Sequence, residues 1–257
     1  FGMLPKKSIA QLSSDYRKAL EKLKSSDEFC RPSIPVNITD FANAGFDNQQ
    51  SYTIDTAFIE DGKRELKDLP FHESVFGDLK FDVIRFDFNE NKTCIALRSK
   101  NKPGAPKEVK GIPLSGRLAS IAFLLAGTHV RDGEKALTLR FNYQDGSSID
   151  KVLIAGKDFD SWLAKKNSKQ LNKKAVWRNS TGNEIFLYEW YNPEAAKPLK
   201  SLDLISGSGE TVPVVCAITA RQSKYNKKYK KSPKRYTARR SFRSIDNRIR
   251  NMGSRFE

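Results

Sequence analysis

Leu137-Thr-Leu-Arg-Phe-Asn-Tyr-Gln-Asp-Gly146 alternates apolar and polar side chains and ends on an Asp-Gly pair. Successive side chains of a strand point to opposite faces, so Leu137, Leu139, Phe141 and Tyr143 share one face while Thr138, Arg140 and Asn142 share the other. Asp145-Gly146 supplies the backbone of a tight hairpin turn, which predicts a returning strand near Ile149 to Ala155. The same texture runs outward in both directions. Phe81-Asp-Val-Ile-Arg-Phe-Asp-Phe88 alternates, Asp61-Gly62 and Asp132-Gly133 mark further turns, and strands are expected near Ala175–Arg178, Glu184–Trp190, Ser201–Ile205 and Val212–Thr219. Leu118–Ala126 is apolar on both faces and reads as a central strand. Many short strands with few helical stretches between them predict an all-β fold, an antiparallel β-sandwich over about 34–221. Ile121, Phe123, Leu139, Phe141, Val214 and Ile218 are its expected core.

Two arms flank this domain. In the first, 1–33, Ile9, Leu12, Tyr16, Leu20 and Leu23 recur at helical intervals, with Ser8 available as a cap, so Ser8–Ser26 reads as an amphipathic helix. The second, 222–257, is basic. From Lys224 onward it holds 13 of the 46 Lys and Arg but 2 of the 30 Asp and Glu, leaving 33 cations against 28 acids in the rest of a chain of net charge +16. The chain is thus a nearly balanced domain with a cationic tail, and such a tail seeks a polyanion, an acidic protein surface or an anionic membrane. Lys227, Lys228, Lys230, Lys231, Lys234 and Arg235 are its expected polyanion contacts. Beyond them Phe242, Ile245, Ile249, Met252 and Phe256 recur at intervals of a helix, with Arg239, Arg240 and Arg243 among the other positions. This apolar seam on a basic helix is the expected partner-binding element, since so short a helix is marginal alone in water. No apolar run of the 257 residues approaches the roughly 20 of a membrane-spanning helix. The first residue is Phe1 rather than Met, so a segment ahead of it is expected to have been removed, either a cleaved export signal or a mere boundary.

Catalytic chemistry finds little to work with. The two histidines, His72 and His129, lie far apart, no Gly-x-Ser-x-Gly elbow is present, and no cysteine or histidine spacing fits a metal. Gly207-Ser-Gly209 is too short for a phosphate loop and reads as a turn. A pair of carboxylates such as Asp203 and Glu189 could in principle serve a glycosidase, but lone acids on strand edges are usually solvated. No catalytic residue, metal or cofactor is therefore assigned. Cys94 and Cys216 sit in strand-like apolar runs and read as buried free thiols, with a disulfide open to them in an oxidising compartment. Trp162, Trp177, Tyr188, Trp190 and Tyr191 crowd the second half. Trp177 and Trp190 read as core, whereas Trp162 and Tyr191 are the candidate rings for stacking on a sugar.

These stretches also carry a resemblance. Ile112-Pro-Leu114, Ala119 to Gly127, Phe141-Asn-Tyr143-Gln-Asp145-Gly146, Gly156-Lys-Asp-Phe159 with Trp162, Val176-Trp177-Arg178, Leu187-Tyr188-Glu-Trp190-Tyr-Asn192-Pro193, Leu202-Asp-Leu204-Ile205-Ser206 and Val212-Pro-Val214 with Ala217-Ile218-Thr219 resemble a jelly-roll module similar to galactose-binding domains of exported bacterial proteins. The resemblance covers about 34–221 and leaves out both arms. It implies a non-catalytic binding or scaffolding role outside the cytoplasm (periplasmic, cell-surface or extracellular), with glycan or other protein subunits as partners, including copies of this chain. The competing expectation is a nucleic-acid-binding protein, in which Tyr225, Tyr229 and Tyr236 stack on bases between lysines that neutralise phosphates.

Overall fold

The computed structural model describes residues 33–46, 66, 68–85, 88–163, 174–223 and 225. The expected helix Ser8–Ser26, the Asp61-Gly62 turn, and the tail residues from Lys227 to Phe256 lie outside them. The chain divides into two units, one ending at Asn226 and one running from Lys227 to Glu257, and every described residue belongs to the first.

Eleven strands carry the described part: β1 (Ser33–Val36), β2 (His72–Phe76), β3 (Leu79–Val83), β4 (Ile95–Ala96), β5 (Glu108–Thr128), β6 (Lys135–Tyr143), β7 (Ser148–Ile154), β8 (Lys174–Arg178), β9 (Glu184–Tyr191), β10 (Pro198–Ser206) and β11 (Val212–Gln222). Helix among the described residues is confined to two short 3-10 turns, Thr39–Phe41 and Asn89–Asn91. All but β2 and β3 belong to one continuous sheet, and every strand pair in it is antiparallel. Its axis is β5, 21 residues long. The first half of β5 pairs with β10, which continues into β6 and β7. The second half, from Leu118, lies between β11 and β9, with β1 and β4 beyond β11 and β8 beyond β9. The sheet folds over along β5, so its two halves face each other as a sandwich.

The shared core holds Ile121, Phe123 and Leu125 from β5, Leu139 and Phe141 from β6, Leu202 and Leu204 from β10, Trp190 from β9 and Ile218 from β11. Phe141 stacks flat on Trp190 with ring centroids 3.6 Å apart and sits edge-on to Phe123 at 6.5 Å. The Asp145-Gly146 turn joins β6 to β7 as read from the sequence: Gly146 has φ 86°, and the Asp145 carboxylate accepts a hydrogen bond from the Ser147 amide.

A second apolar cluster, which the sequence did not announce, covers the other face of the β11 half. Ala122, Leu124 and Ala126 of β5 and Val212, Val214, Cys216 and Ala217 of β11 pack there against Phe76, Leu79 and Phe81 of the β2–β3 hairpin and against Ala44, Phe46, Leu66 and Leu69. This explains the two-sided apolar character of Leu118–Ala126: that strand is buried between two layers. Val214, expected in the sandwich core, belongs to this second layer.

Two strand readings are corrected. The run Phe81–Phe88 ends as a strand at Val83, and the chain turns so that the Phe88 amide donates to the Arg85 carbonyl. Conversely, β5 starts at Glu108, ten residues before the expected Leu118. Gly111 and Gly116, both at positive φ, coincide with two register shifts against β10, and Pro113, which has no amide to donate, lies where β5 is an edge strand. Breaker residues hid an edge strand from a pattern-based reading.

Candidate binding surfaces

β9 pairs with β5 so that Phe186, Tyr188 and Trp190 turn to the shared core and Leu187, Glu189 and Tyr191 turn the other way. Glu189 and Tyr191 join a polar cluster at the margin of the second layer. The Glu189 carboxylate accepts from Ser120 Oγ at 2.6 Å, from Tyr191 Oη at 3.0 Å and from Arg221 Nε at 3.3 Å. Arg221 Nη2 reaches on to Asp78 Oδ2 at 2.7 Å, in the turn of the β2–β3 hairpin. Burial, the charge of Glu189 and its hydrogen bond all push the Tyr191 hydroxyl well above the usual range, so it stays protonated as a donor. Burial pushes the Asp78 carboxyl up, but the hydrogen bond and charge of Arg221 outweigh it and leave Asp78 below the usual range. Both oxygens of Glu189 are engaged, which fits a clamp that ties the hairpin to the sheet rather than a free base. Sequence reading missed Arg221, Ser120 and Asp78. The available signal was a lone arginine closing the apolar run Val212–Ala220.

The two carboxylates considered for a glycosidase are not brought together. Asp203 lies on the outer face of the β10 half, where it accepts from the Gly111 amide at 2.8 Å and from Asn142 Nδ2 at 3.0 Å. Beside it Arg140 donates two hydrogen bonds, each 2.8 Å, to Asp150. This face mixes polar side chains with Val152 of β7, which is exposed, and the aromatic rings of β6, Phe141 and Tyr143, point away from it into the core. It offers no ring on β6 for a sugar to stack on.

Trp162, the first candidate sugar-stacking ring, is 4% exposed and packs in the second layer, so it presents no open face. Tyr191, the second, is half-buried in the Glu189 cluster. Trp162 and Tyr191 therefore do not form one platform. Trp190 is core as expected, and Trp177 is partly buried against the second layer. Tyr225, where the described tail begins, is 48% exposed.

The Gly207-Ser-Gly209 turn is held by an acid. Glu134 accepts from the Glu210 amide at 2.6 Å, the Thr211 amide at 2.9 Å and Thr211 Oγ1 at 2.5 Å. A Cβ on Gly207 would lie 1.8 Å from the Lys135 carbonyl oxygen, so that position requires glycine, while one on Gly209 would lie 1.3 Å from Glu134 Oε1 and push that carboxylate from its hydrogen bonds. The Gly207 amide donates to the Ala136 carbonyl and the Ser208 amide to Ser206 Oγ, so the turn does not gather its amides around an anion as a phosphate loop does. Burial pushes Glu134 up, yet the Thr211 and Glu210 hydrogen bonds bring it below its ordinary value of 4.5. A lowered folded-state value means the stabilisation is complete above the unfolded value and is lost as pH falls through the folded one. Glu134→Gln should therefore destabilise the chain at pH 6–7, with the gap to the parent shrinking as pH drops below about 4.5. Urea unfolding at stepped pH measures this, and a gap independent of pH would refute it.

Comparison with protein-family models, with curated proteins and with solved structures finds no match for this chain. The all-β antiparallel architecture therefore rests on the strands and registers described above.

Proposed function

We propose that the chain is a non-catalytic, exported β-sandwich of the jelly-roll kind that serves structural assembly and engages partners through its terminal arms. The jelly-roll reading is supported by sheet neighbours that are remote in sequence, β5 beside β10 and β11 and β6 beside β10. The exported setting rests on the resemblance alone. The observation that carries the assembly role is the segregation of charge. Within the sandwich, charges pair with one another, as in Arg140–Asp150, Arg221–Glu189, Arg178–Glu184 and Lys197–Glu194, whereas the residues from Lys224 on carry 13 cations against 2 acids. A domain of nearly balanced charge that trails an unbalanced basic, apolar-seamed segment fits a docking module. No helix among the described residues is long and apolar enough to cross a membrane. Glycan binding is the weaker branch, because of its two candidate rings one is buried and the other is hydrogen-bonded to Glu189.

The test is light scattering on the full chain beside an Ile245→Asp, Ile249→Asp double variant. Self-association is expected in the parent and monomers in the variant, at an unchanged unfolding midpoint. Identical masses for the two proteins would overturn arm-mediated assembly.

A second reading, nucleic-acid or other polyanion binding, is favoured by Tyr225, an exposed ring just ahead of Lys227 and Lys228. If the tail neutralises six or more phosphates, affinity for a labelled single-stranded oligonucleotide should fall at least roughly 300-fold between 50 and 200 mM salt. Replacing Lys227, Lys228, Lys230, Lys231, Lys234 and Arg235 with Gln should flatten that dependence. Binding indifferent to salt would dispose of this reading.

A further inference from the structure

We propose that Cys94 and Cys216 form a cross-strand dithiol that closes into a disulfide as the chain folds under oxidising conditions and is sealed from redox exchange afterwards. β4 lies antiparallel to β11 with Ala96 opposite Val214 and Ile95 opposite Val215. One further step of that register sets Cys94 opposite Cys216. The faces agree: Ile95 and Val215 look into the sandwich core, while Ala96, Val214, Cys94 and Cys216 all belong to the second layer. Directly opposed residues of an antiparallel pair have Cα atoms about 4.5–5.5 Å apart, inside the roughly 4.4–6.8 Å span of disulfides. Cys216 is also the extra residue of a register shift against β5, between Val215 and Ala217, where a strand can re-aim a side chain. Burial raises the Cys94 thiol most, and the nearby Cys216 raises it further.

The same surroundings that place the thiols also shut them in. Both are wholly buried and free, and the Cys94 thiol donates to the Ala44 carbonyl at 3.3 Å. Buried thiols whose pKa is raised hold almost no thiolate at neutral pH, and the thiolate is the attacking species. Exchange on the folded protein must wait for β4 to lift from β11. Before β4 docks, both thiols meet solvent with an ordinary value of about 8.5. A low-molecular-weight disulfide such as oxidised glutathione then completes the reaction. One cysteine thiolate attacks it and releases one glutathione thiol, giving a mixed disulfide. The other cysteine thiolate attacks the protein sulfur of that bond and releases the second glutathione. The two protein sulfurs lose two electrons in all, and the two thiol protons leave on the two glutathiones. The state of the pair thus records the compartment in which the chain folded.

The experiment refolds the full chain from denaturant in mixed oxidised and reduced glutathione and maps its tryptic peptides by mass spectrometry. The chain carrying Cys30→Ser is run in parallel to remove the third thiol. The expected product links the peptides Thr93–Arg98 and Ser201–Arg221 in most molecules, lighter by two hydrogens, in both proteins. Reduced protein left folded in the same buffer should form this link at least a hundred-fold more slowly, and sub-denaturing urea should speed it. The long loop closed by the bond should raise the unfolding temperature by roughly 10 °C over the reduced form. Refolded protein that stays dithiol, carries only glutathione adducts or bonds through Cys30 would overturn the pairing. A folded protein that oxidises as fast as a refolding one would overturn the sealing.

Discussion

Arg221→Met is expected to lower the stability of the chain by about 3–5 kcal/mol, the usual cost of removing one partner from a buried ion pair. The size follows from what is left behind. The Arg221 side chain is 6% exposed and that of Glu189 15%, so the substitution leaves a carboxylate shielded from water with two neutral hydroxyl donors and no cation. It also frees Asp78, and with it the hold on the β2–β3 turn. Urea unfolding of the two proteins measures the loss as a shift in midpoint at unchanged slope. Adding Glu189→Gln should recover part of it, since the isolated charge is then gone. A single-variant cost below about 1 kcal/mol, the range of exposed pairs, would show that the cluster is solvated and the clamp reading wrong.

Phe141→Ala should cost a similar amount, about 3–5 kcal/mol, for a different reason. The ring is fully buried, lies flat on Trp190 and meets Phe123 edge-on, so its removal opens a void between the two halves of the folded-over sheet. Phe141→Leu, which keeps much of the volume, should cost less than half as much. Thermal melts of the three proteins order these effects. Equal midpoints for Phe141→Ala and the parent would mean the halves do not close on this ring.

What the sequence made legible was whatever depended on local pattern. Leu137 to Tyr143 alternates because one face of β6 is core and the other is water, and the Asp145-Gly146 turn follows from two residues. Ile121, Phe123, Leu139, Phe141 and Ile218 could be assigned to the core on the same ground. The second layer was not legible, because Val214 and Ile218 look alike in a strand whose two faces are both apolar, and only the partner of each face tells them apart. The Glu189 cluster draws on β5, β9, β11 and the β2–β3 turn, residues as far apart as Asp78 and Arg221, and no spacing within one segment encodes that meeting. Trp162 was misjudged as a ligand ring for a related reason: a tryptophan between turns reads as exposed until the chain that covers it is known.

The pairing of β1 with β11 sets Ser33 opposite Arg221. Because the strands run antiparallel, the chain enters the sandwich and leaves it at one corner, and the two arms are rooted within a strand spacing of each other. If both arms bind a partner as proposed, engagement of one holds the other nearby at an effective concentration on the order of millimolar, as for two sites joined by a short tether. Two weak grips rooted at one point act as a single strong one. If both arms bind as proposed, loss of either should thus weaken attachment by far more than that arm's own affinity accounts for.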